Sequence, residues 1–304
     1  MRTKQLRATI ADIDFVLNAE GCSFADAPLK GFATEAGSAA GDDRVDVTVR
    51  LAENSPAPEI RDVRFSAKKD AFEDNCRTEW YLCSPTSADW EEEIIQYCGE
   101  EQNIKWASLR YSRNRAELTI CHIKDTQGVV SPFTFPLLNI YLSRMMQLRG
   151  GFMIHSSVVE DKDGKGLLFT AVSGTGKSTI AHIFEGEGAT IVNDDMVVVR
   201  PGADGGARAY AIPMRAYVQR PRSVALGGLF FISQSPKNWI ERKKGATVVA
   251  RVMSNSISQP FDAANALRLI GNISGCCLGI PAFTLGFKPD AEVVGVVRNA
   301  LKGA

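Results

Sequence analysis

The chain has 304 residues, of which 45% are hydrophobic, and its 35 Lys and Arg residues balance its 35 Asp and Glu residues. This length allows one large domain or two ordinary ones with a sizeable core. The balanced charge argues against a general nucleic-acid binder or a membrane-surface protein. No apolar run approaches about 18 residues and no signal peptide is evident, so we expect a cytoplasmic protein without a membrane span.

The cysteines and histidines give no metal-site pattern. Seven cysteines are scattered along the chain, and an odd number in a chain of this size favours reduced, mostly buried thiols over disulfides. The adjacent pair Cys121-His122 has no second pair to complete a zinc site. His182 lies within a predicted helix, where we expect a structural role.

The N-terminal part of the chain, residues 1–145, carries no motif with a chemical interpretation. Alternating apolar and polar residues predict half-exposed strands at 45–51 and 116–123. The stretch 90–97 has a charge-rich helical pattern, and its acidic run is most simply a solvated helix face. We therefore predict a smaller α+β domain here.

From residue 146 the pattern changes to alternating strands and helices, which favours an α/β domain over 146–304. A helix is predicted over 136–148, with Pro136 in its first turn, where a missing N–H costs nothing. A closing helix is predicted with Asp290 as its N-cap. Further strands are predicted at 152–160, 166–171, 189–192, 196–200, 228–232 and 282–287, and helices at 177–187, 261–273 and 290–301.

The strongest chemical signal is the segment Ala-Val-Ser-Gly-Thr-Gly-Lys-Ser-Thr at 171–179, between a predicted strand and a predicted helix. This order is typical of loops that bind nucleotide phosphates, although the usual pattern begins with Gly where this chain has Ala171. Glycines let backbone N–H groups turn toward phosphate oxygens, and the helix N-terminus adds its dipole. The predicted nucleotide-binding residues are Ser173, Gly174, Thr175, Gly176, Lys177, Ser178 and Thr179.

Two side chains of this loop have predicted roles with a bound nucleotide. Lys177 can neutralise the β- and γ-phosphates, and the Ser178 hydroxyl can ligate Mg²⁺. In the empty loop we expect the Lys177 side chain to face solvent.

A second informative segment is Asn-Asp-Asp at 193–195, at the end of an apolar stretch. The adjacent carboxylates Asp194 and Asp195 repel each other unless a cation such as Mg²⁺ lies near. One could hold the metal, and the other could take a proton from a hydroxyl nucleophile. The simpler interpretation, a turn at a strand end, stays open, as does a structural role for the strand residue His155.

Together these residues resemble the catalytic domain of the HPr kinase/phosphorylase family over residues 151–200. The resemblance rests on His155, the string Ser-Gly-Thr-Gly-Lys-Ser at 173–178, Gly188 and the Asp pair. The loop is also similar to that of ATP-dependent PEP carboxykinases, whose fold HPr kinases share. The resemblance implies an α/β fold with a PEP-carboxykinase/HPr-kinase-like P-loop catalytic domain, preceded by the smaller α+β domain.

The resemblance also implies residue roles. Asp195 would be the proton acceptor, Lys177 an active-site lysine, and His155 a neighbour of the γ-phosphate. The family's loop metal ligand corresponds to Ser178, and Asp194 of the pair is the second predicted metal ligand. The chain departs from the family at Ser156, where the family has Gly. It has no Glu between Glu187 and Glu241, where the family has a metal ligand. The family's later catalytic arginine has no clear match, and Arg215, Arg242 and Arg251 are candidates.

The function expected from the resemblance is an ATP- and Mg²⁺-dependent phosphotransferase that transfers the γ-phosphoryl group to a hydroxyl acceptor. A serine of a peptide or protein is the expected acceptor, and a small hydroxyl compound is an alternative. The N-terminal domain would guide the acceptor or mediate assembly, and homo-oligomerisation stays open. A non-catalytic nucleotide-binding regulator and a PEP-carboxykinase-like enzyme are the alternative functions.

Overall fold

The computed structural model describes residues 4–24, 29–33, 43–53, 55–67, 79–131, 136–213, 222–257 and 262–303. This part of the chain is mixed α/β, with two large sheets and few helices. It divides into two compact units: residues up to Tyr141, with Pro213, form the first, and the remaining residues form the second. Along the chain, the division therefore falls inside the helix predicted over 136–148.

The first unit contains ten strands among its described residues. They are β1 (Gln5–Ile10), β2 (Ile13–Glu20), β3 (Ser23–Phe24), β4 (Arg44–Leu51), β5 (Val63–Ala67), β6 (Glu79–Cys83), β7 (Glu92–Tyr97), β8 (Ile104–Tyr111), β9 (Arg115–His122) and β10 (Val129–Val130), with 3₁₀ turns at Lys30–Phe32 and Glu100–Gln102. Eight of them form one sheet in the order β1-β2-β4-β9-β8-β7-β6-β5, and β3 pairs with β10. The strand predictions at 45–51 and 116–123 are confirmed by β4 and β9.

The helix prediction at 90–97 is wrong, because β7 runs there between β6 and β8 and pairs antiparallel with both. Glu92 is buried and accepts a hydrogen bond from the Tyr111 hydroxyl, so the acidic run is not a solvated helix face. The β-branched residues Ile94 and Ile95 fit a pleated, buried surface better than a helix. Tertiary pairing thus overrides the local charge pattern.

The second unit begins within helix α1 and continues through the site region. Its elements are α1 (Leu137–Leu148), β11 (Phe152–Glu160), β12 (Gly166–Thr170), α2 (Lys177–Gly186), β13 (Thr190–Asn193), β14 (Met196–Pro201), β15 (Ala207–Tyr210), β16 (Ser223–Gln234), β17 (Trp239–Lys243), α3 (Ala246–Ser254), α4 (Ala263–Cys277), β18 (Ala282–Phe287) and α5 (Glu292–Lys302). Most predicted elements of this half are confirmed, whereas β15, β17 and α3 were not predicted.

In the sheet of the second unit, the glycine loop follows the carboxyl end of β12. Strands β12, β16 and β18 run parallel, and the other pairings are antiparallel. Because β12 pairs with both β11 and β16, the strands β12, β11, β14, β15 and β16 close into a ring. Phe169, Phe184, Phe230 and Phe283 belong to one buried cluster between the parallel strands and helices α2 and α5.

The predicted N-cap of the last helix is wrong. Helix α5 begins at Glu292, and the residue at its N-cap position is Ala291, which makes no side-chain cap. The Asp290 carboxylate instead accepts a hydrogen bond from Asn238 Nδ2 at 3.0 Å and pairs with Lys288. No helix in the described residues is long and apolar enough to cross a membrane.

Candidate functional site

The glycine loop joins the end of β12 to the start of α2, and its backbone needs both glycines. Gly174 has φ +75° and Gly176, the residue before the helix, has φ +104°. Side chains rarely tolerate these values. A Cβ at Gly176 would also lie 2.9 Å from Phe287 Cζ, whereas nothing lies within 4 Å of one at Gly174. The loop is therefore held in one conformation by backbone geometry and by packing.

We predict that Gly176→Ala destabilises the fold and weakens nucleotide binding more than Gly174→Ala does. Both substitutions force Ala into a left-handed conformation, at a cost of about 1–2 kcal/mol each, but only the first also meets Phe287. Urea unfolding of the two variants measures the difference. Equal losses of unfolding free energy would show that the contact with Phe287 does not constrain the loop.

Lys177 is buried, with only 7% of its surface exposed, so the expectation that it faces solvent is wrong. Its Nζ donates hydrogen bonds to the carbonyl oxygens of Ala171 and Val172, both at 3.2 Å. Burial lowers the pKa of Lys177, and the negative charges of Asp195 and Asp194 act against this lowering. The loop carbonyls thus hold the ammonium group beside the first half of the loop.

The two aspartates lie where a strand running beside β11 is interrupted. Strands β13 and β14 both pair with β11, and residues 194 and 195 separate them. Ser156 N still donates to Asp195 O at 3.0 Å, so part of the ladder continues. Asp195 has φ +84°, a strained conformation for a residue with a side chain, and such strain is common at functional sites.

Two side chains of β11 fix the two carboxylates. His155 and Ser157 lie two residues apart and therefore on the same face of the strand. His155 Nε2 lies 2.5 Å from Asp195 Oδ1, and the Ser157 hydroxyl donates to Asp194 Oδ1. The Asp195 N–H also donates to Asp194 Oδ1, at 3.0 Å. The Asp pair and the strand before the loop therefore form one hydrogen-bonded cluster.

Burial and neighbouring charges set the protonation of this cluster. Burial raises the pKa of Asp195, and the charge of Asp194 adds to the rise, while His155 and Lys177 oppose it. Burial also lowers the pKa of His155, as does the positive charge of Lys177. The raised pKa of Asp195 and the lowered pKa of His155 both fit a neutral imidazole that donates its Nε2–H to the carboxylate. Asp195 is thereby a stronger proton acceptor than an ordinary aspartate.

The predicted metal ligands Ser178 and Asp194 both offer oxygen atoms, which suit Mg²⁺. Ser178 is exposed in the first turn of α2, and Asp194 is buried. Both hydrogen bonds to Asp194 reach Oδ1, so Oδ2 has no donor among the described residues. No group of three or more His, Cys, Asp or Glu that could hold a metal lies in the described chain. The residues fit a Mg²⁺ ion that takes its other ligands from nucleotide and water.

A cavity of about 580 Å³ opens beside the first half of the loop. Its lining includes Arg251, one of the three arginines proposed from the sequence, whereas Arg242 is exposed on β17 and Arg215 lies outside the described residues. The other lining residues are Thr170, Ala171, Val172, Ser173, Gly174, Thr175, Phe231, Ile232, Ser233, Gln234, Ser254 and Asn255.

Sequence reasoning missed two hydroxyl residues of the site. Ser157 binds Asp194, and the Thr170 hydroxyl donates to His155 O at 2.8 Å. The alternation along β11 was a signal for Ser157, since it lies two residues after His155. Thr170 had no such signal, because its contact depends on the pairing of β11 with β12. His182 is exposed on α2, with Nδ1 3.1 Å from Glu185 Oε2.

Comparisons with known proteins identify no family for this chain. No protein-family model matches it, and no curated protein matches it. Among solved structures, the HPr(Ser) kinase/phosphatase from Coxiella burnetii matches with 9% sequence identity and a TM-score of 0.30, over 48% of this chain and 94% of that chain.

Proposed function

We propose that the protein is an ATP- and Mg²⁺-dependent phosphotransferase that transfers the γ-phosphoryl group to a serine-type hydroxyl. The observation that supports this most is the joining of two features. A glycine loop with a buried lysine lies between β12 and α2, and the cluster of His155, Asp194 and Asp195 is attached to the neighbouring strand β11. The loop suits phosphates, and the cluster suits a proton acceptor.

The proposed reaction is an in-line displacement. The acceptor oxygen forms a bond to the γ-phosphorus, while the bond from that phosphorus to the β–γ bridging oxygen breaks and ADP leaves. Asp195 takes the hydroxyl proton through its second oxygen, because Oδ1 is engaged by His155. Lys177 and the loop amides stabilise charge on the transferred group.

Mg²⁺ would be held by Ser178 and Asp194, and it would neutralise charge on the β- and γ-phosphates. Ser157 and the Asp195 amide orient Asp194 for that role. Orientation of a metal-binding carboxylate by hydrogen bonds is a common device.

The alternatives differ from this proposal in what they consume. A nucleotide-binding regulator binds ATP without phosphorylating an acceptor, and a PEP-carboxykinase-like enzyme requires oxaloacetate. The strained φ of Asp195 and its contact with His155 favour the phosphotransferase, since a regulator needs no proton acceptor.

The test is ADP formation by the full-length protein with Mg-ATP, alone and with candidate hydroxyl acceptors or oxaloacetate. We expect ADP formation to depend on a hydroxyl acceptor and the γ-phosphoryl group to appear on it. Dependence on oxaloacetate would support the PEP-carboxykinase alternative. Nucleotide binding with no transfer to serine peptides, proteins or small hydroxyl compounds would contradict the proposal.

We predict that Asp194→Asn weakens Mg-ATP binding by about tenfold, equivalent to ~1.4 kcal/mol. The amide oxygen can still accept from Ser157, so the fold should persist, but the charge that attracts Mg²⁺ is lost. Calorimetric titration with ATP, with and without Mg²⁺, measures this effect. If the variant binds Mg-ATP as the wild type does, Asp194 is not a metal ligand. Asp204→Asn, in an exposed turn, is the matched control.

A further inference from the structure

If the proposed function holds, the cavity adjoins the part of the glycine loop at which the γ-phosphoryl group would be transferred. Lys177 Nζ bonds to the carbonyl oxygens of Ala171 and Val172, and both residues line the cavity. In phosphate loops this lysine reaches the β- and γ-phosphates. A bound nucleotide would therefore present its γ-phosphate at the wall of the cavity.

The same wall adjoins the backbone of β11 at His155. The Thr170 hydroxyl donates to His155 O at 2.8 Å, and His155 N donates to Asn255 O at 2.9 Å. Both Thr170 and Asn255 line the cavity. A molecule in the cavity would thus lie against β11, the strand that carries His155, the partner of Asp195.

The chemistry of the lining indicates an anionic ligand. Among the described lining residues, Arg251 is the only charged side chain, and the polar ones include Gln234 and Asn255. Arg251 Nη1 donates to Thr284 Oγ1 at 2.9 Å, and the guanidinium lies 5.4 Å from the ring centre of Phe231. These contacts orient Arg251 but leave other N–H donors of its guanidinium unused.

We propose that this cavity is the acceptor site and that it takes a small hydroxyl compound carrying a carboxylate or phosphate group, which binds Arg251. A volume of about 580 Å³ is suitable for a small molecule. A planar guanidinium binds either anion through paired hydrogen bonds. Arg251 is then a specificity-determining residue, because an uncharged hydroxyl compound gains nothing from it.

The experiment compares acceptors that differ in charge. D-Glycerate and glycerol 3-phosphate are each compared with glycerol in full-length protein with Mg-ATP, following the phosphorylated product. We expect kcat/KM for at least one anionic acceptor to exceed that for glycerol by about tenfold or more. The better of the two identifies the anionic group. Arg251→Gln should remove the preference, mainly through KM, and leave the Kd of Mg-ATP unchanged. Arg268→Gln, exposed on α4, is the matched control.

Three other outcomes would contradict the acceptor site or the proposed function. Equal use of all three acceptors, or the same kinetics for Arg251→Gln and Arg268→Gln, overturns the acceptor site alone. Weaker Mg-ATP binding by Arg251→Gln, with unchanged binding of Mg-triphosphate, means that a nucleoside occupies the cavity instead. If the wild type binds no Mg-ATP, or transfers phosphate to no hydroxyl, the proposed function fails and the acceptor site with it.

Discussion

Lys177→Met is expected to reduce the rate of phosphoryl transfer by about a hundredfold or more, the loss typical of removing a group that stabilises transition-state charge. Methionine keeps much of the buried stem but loses the ammonium, which bonds to two loop carbonyls. We therefore expect a modest loss of stability and a large loss of turnover. Single-turnover transfer from ATP and thermal unfolding of the same sample separate the two effects.

Lys244→Met is the matched control, because Lys244 is exposed after β17 and does not line the cavity. It should transfer phosphate at the wild-type rate. Turnover of Lys177→Met close to that of the control would show that the lysine is only a structural part of the loop.

Asp195→Asn is expected to lower kcat by about 10²–10⁴-fold, the range of general base catalysis, with little change in the Kd of Mg-ATP. An amide cannot take the proton that the acceptor hydroxyl loses. Asp163→Asn, in an exposed turn, is the matched control. If Asp195→Asn instead weakens nucleotide binding and leaves kcat intact, its role is that of a metal ligand.

The pH dependence of kcat offers a second test of Asp195. Its pKa is raised chiefly by burial, so the carboxylate is protonated at a higher pH than an ordinary aspartate. As the pH falls through this raised pKa, the base is lost and kcat should fall. His155 holds the pKa of Asp195 down, so His155→Ala should move this loss of activity to higher pH. The profile of Asp195→Asn should lack it.

The parts of the site that lie together in the sequence were predictable. Gly174, Gly176 and Lys177 form one short motif between a strand and a helix, and the structure keeps that order. The Asp pair was recognisable because two adjacent carboxylates end an apolar stretch. The local sequence is enough to recognise both motifs. It does not predict where the Lys177 side chain points, because that depends on the loop carbonyls that accept its hydrogen bonds.

The parts that depend on tertiary pairing were not predictable from local patterns. The contact between His155 and Asp195 joins residues 40 positions apart and requires β13 and β14 to lie beside β11. Helix α3, which brings Arg251 to the cavity, follows Gly245, which has no side chain, so the sequence carries no side-chain capping signal for this helix. In the first unit, β7 shows the same limit, because its neighbours β6 and β8 decide its conformation.

Hydrogen exchange of the full-length protein tests whether Mg-ATP binds at the glycine loop beside the Asp pair. Mass spectrometry with and without Mg and a slowly hydrolysed ATP analogue needs no knowledge of the acceptor. We predict slower amide exchange at residues 172–179, whose N–H groups would bind phosphate, and at 193–196 beside the metal. Unchanged exchange at 172–179, with protection elsewhere or nowhere, would show that Mg-ATP does not bind at this loop.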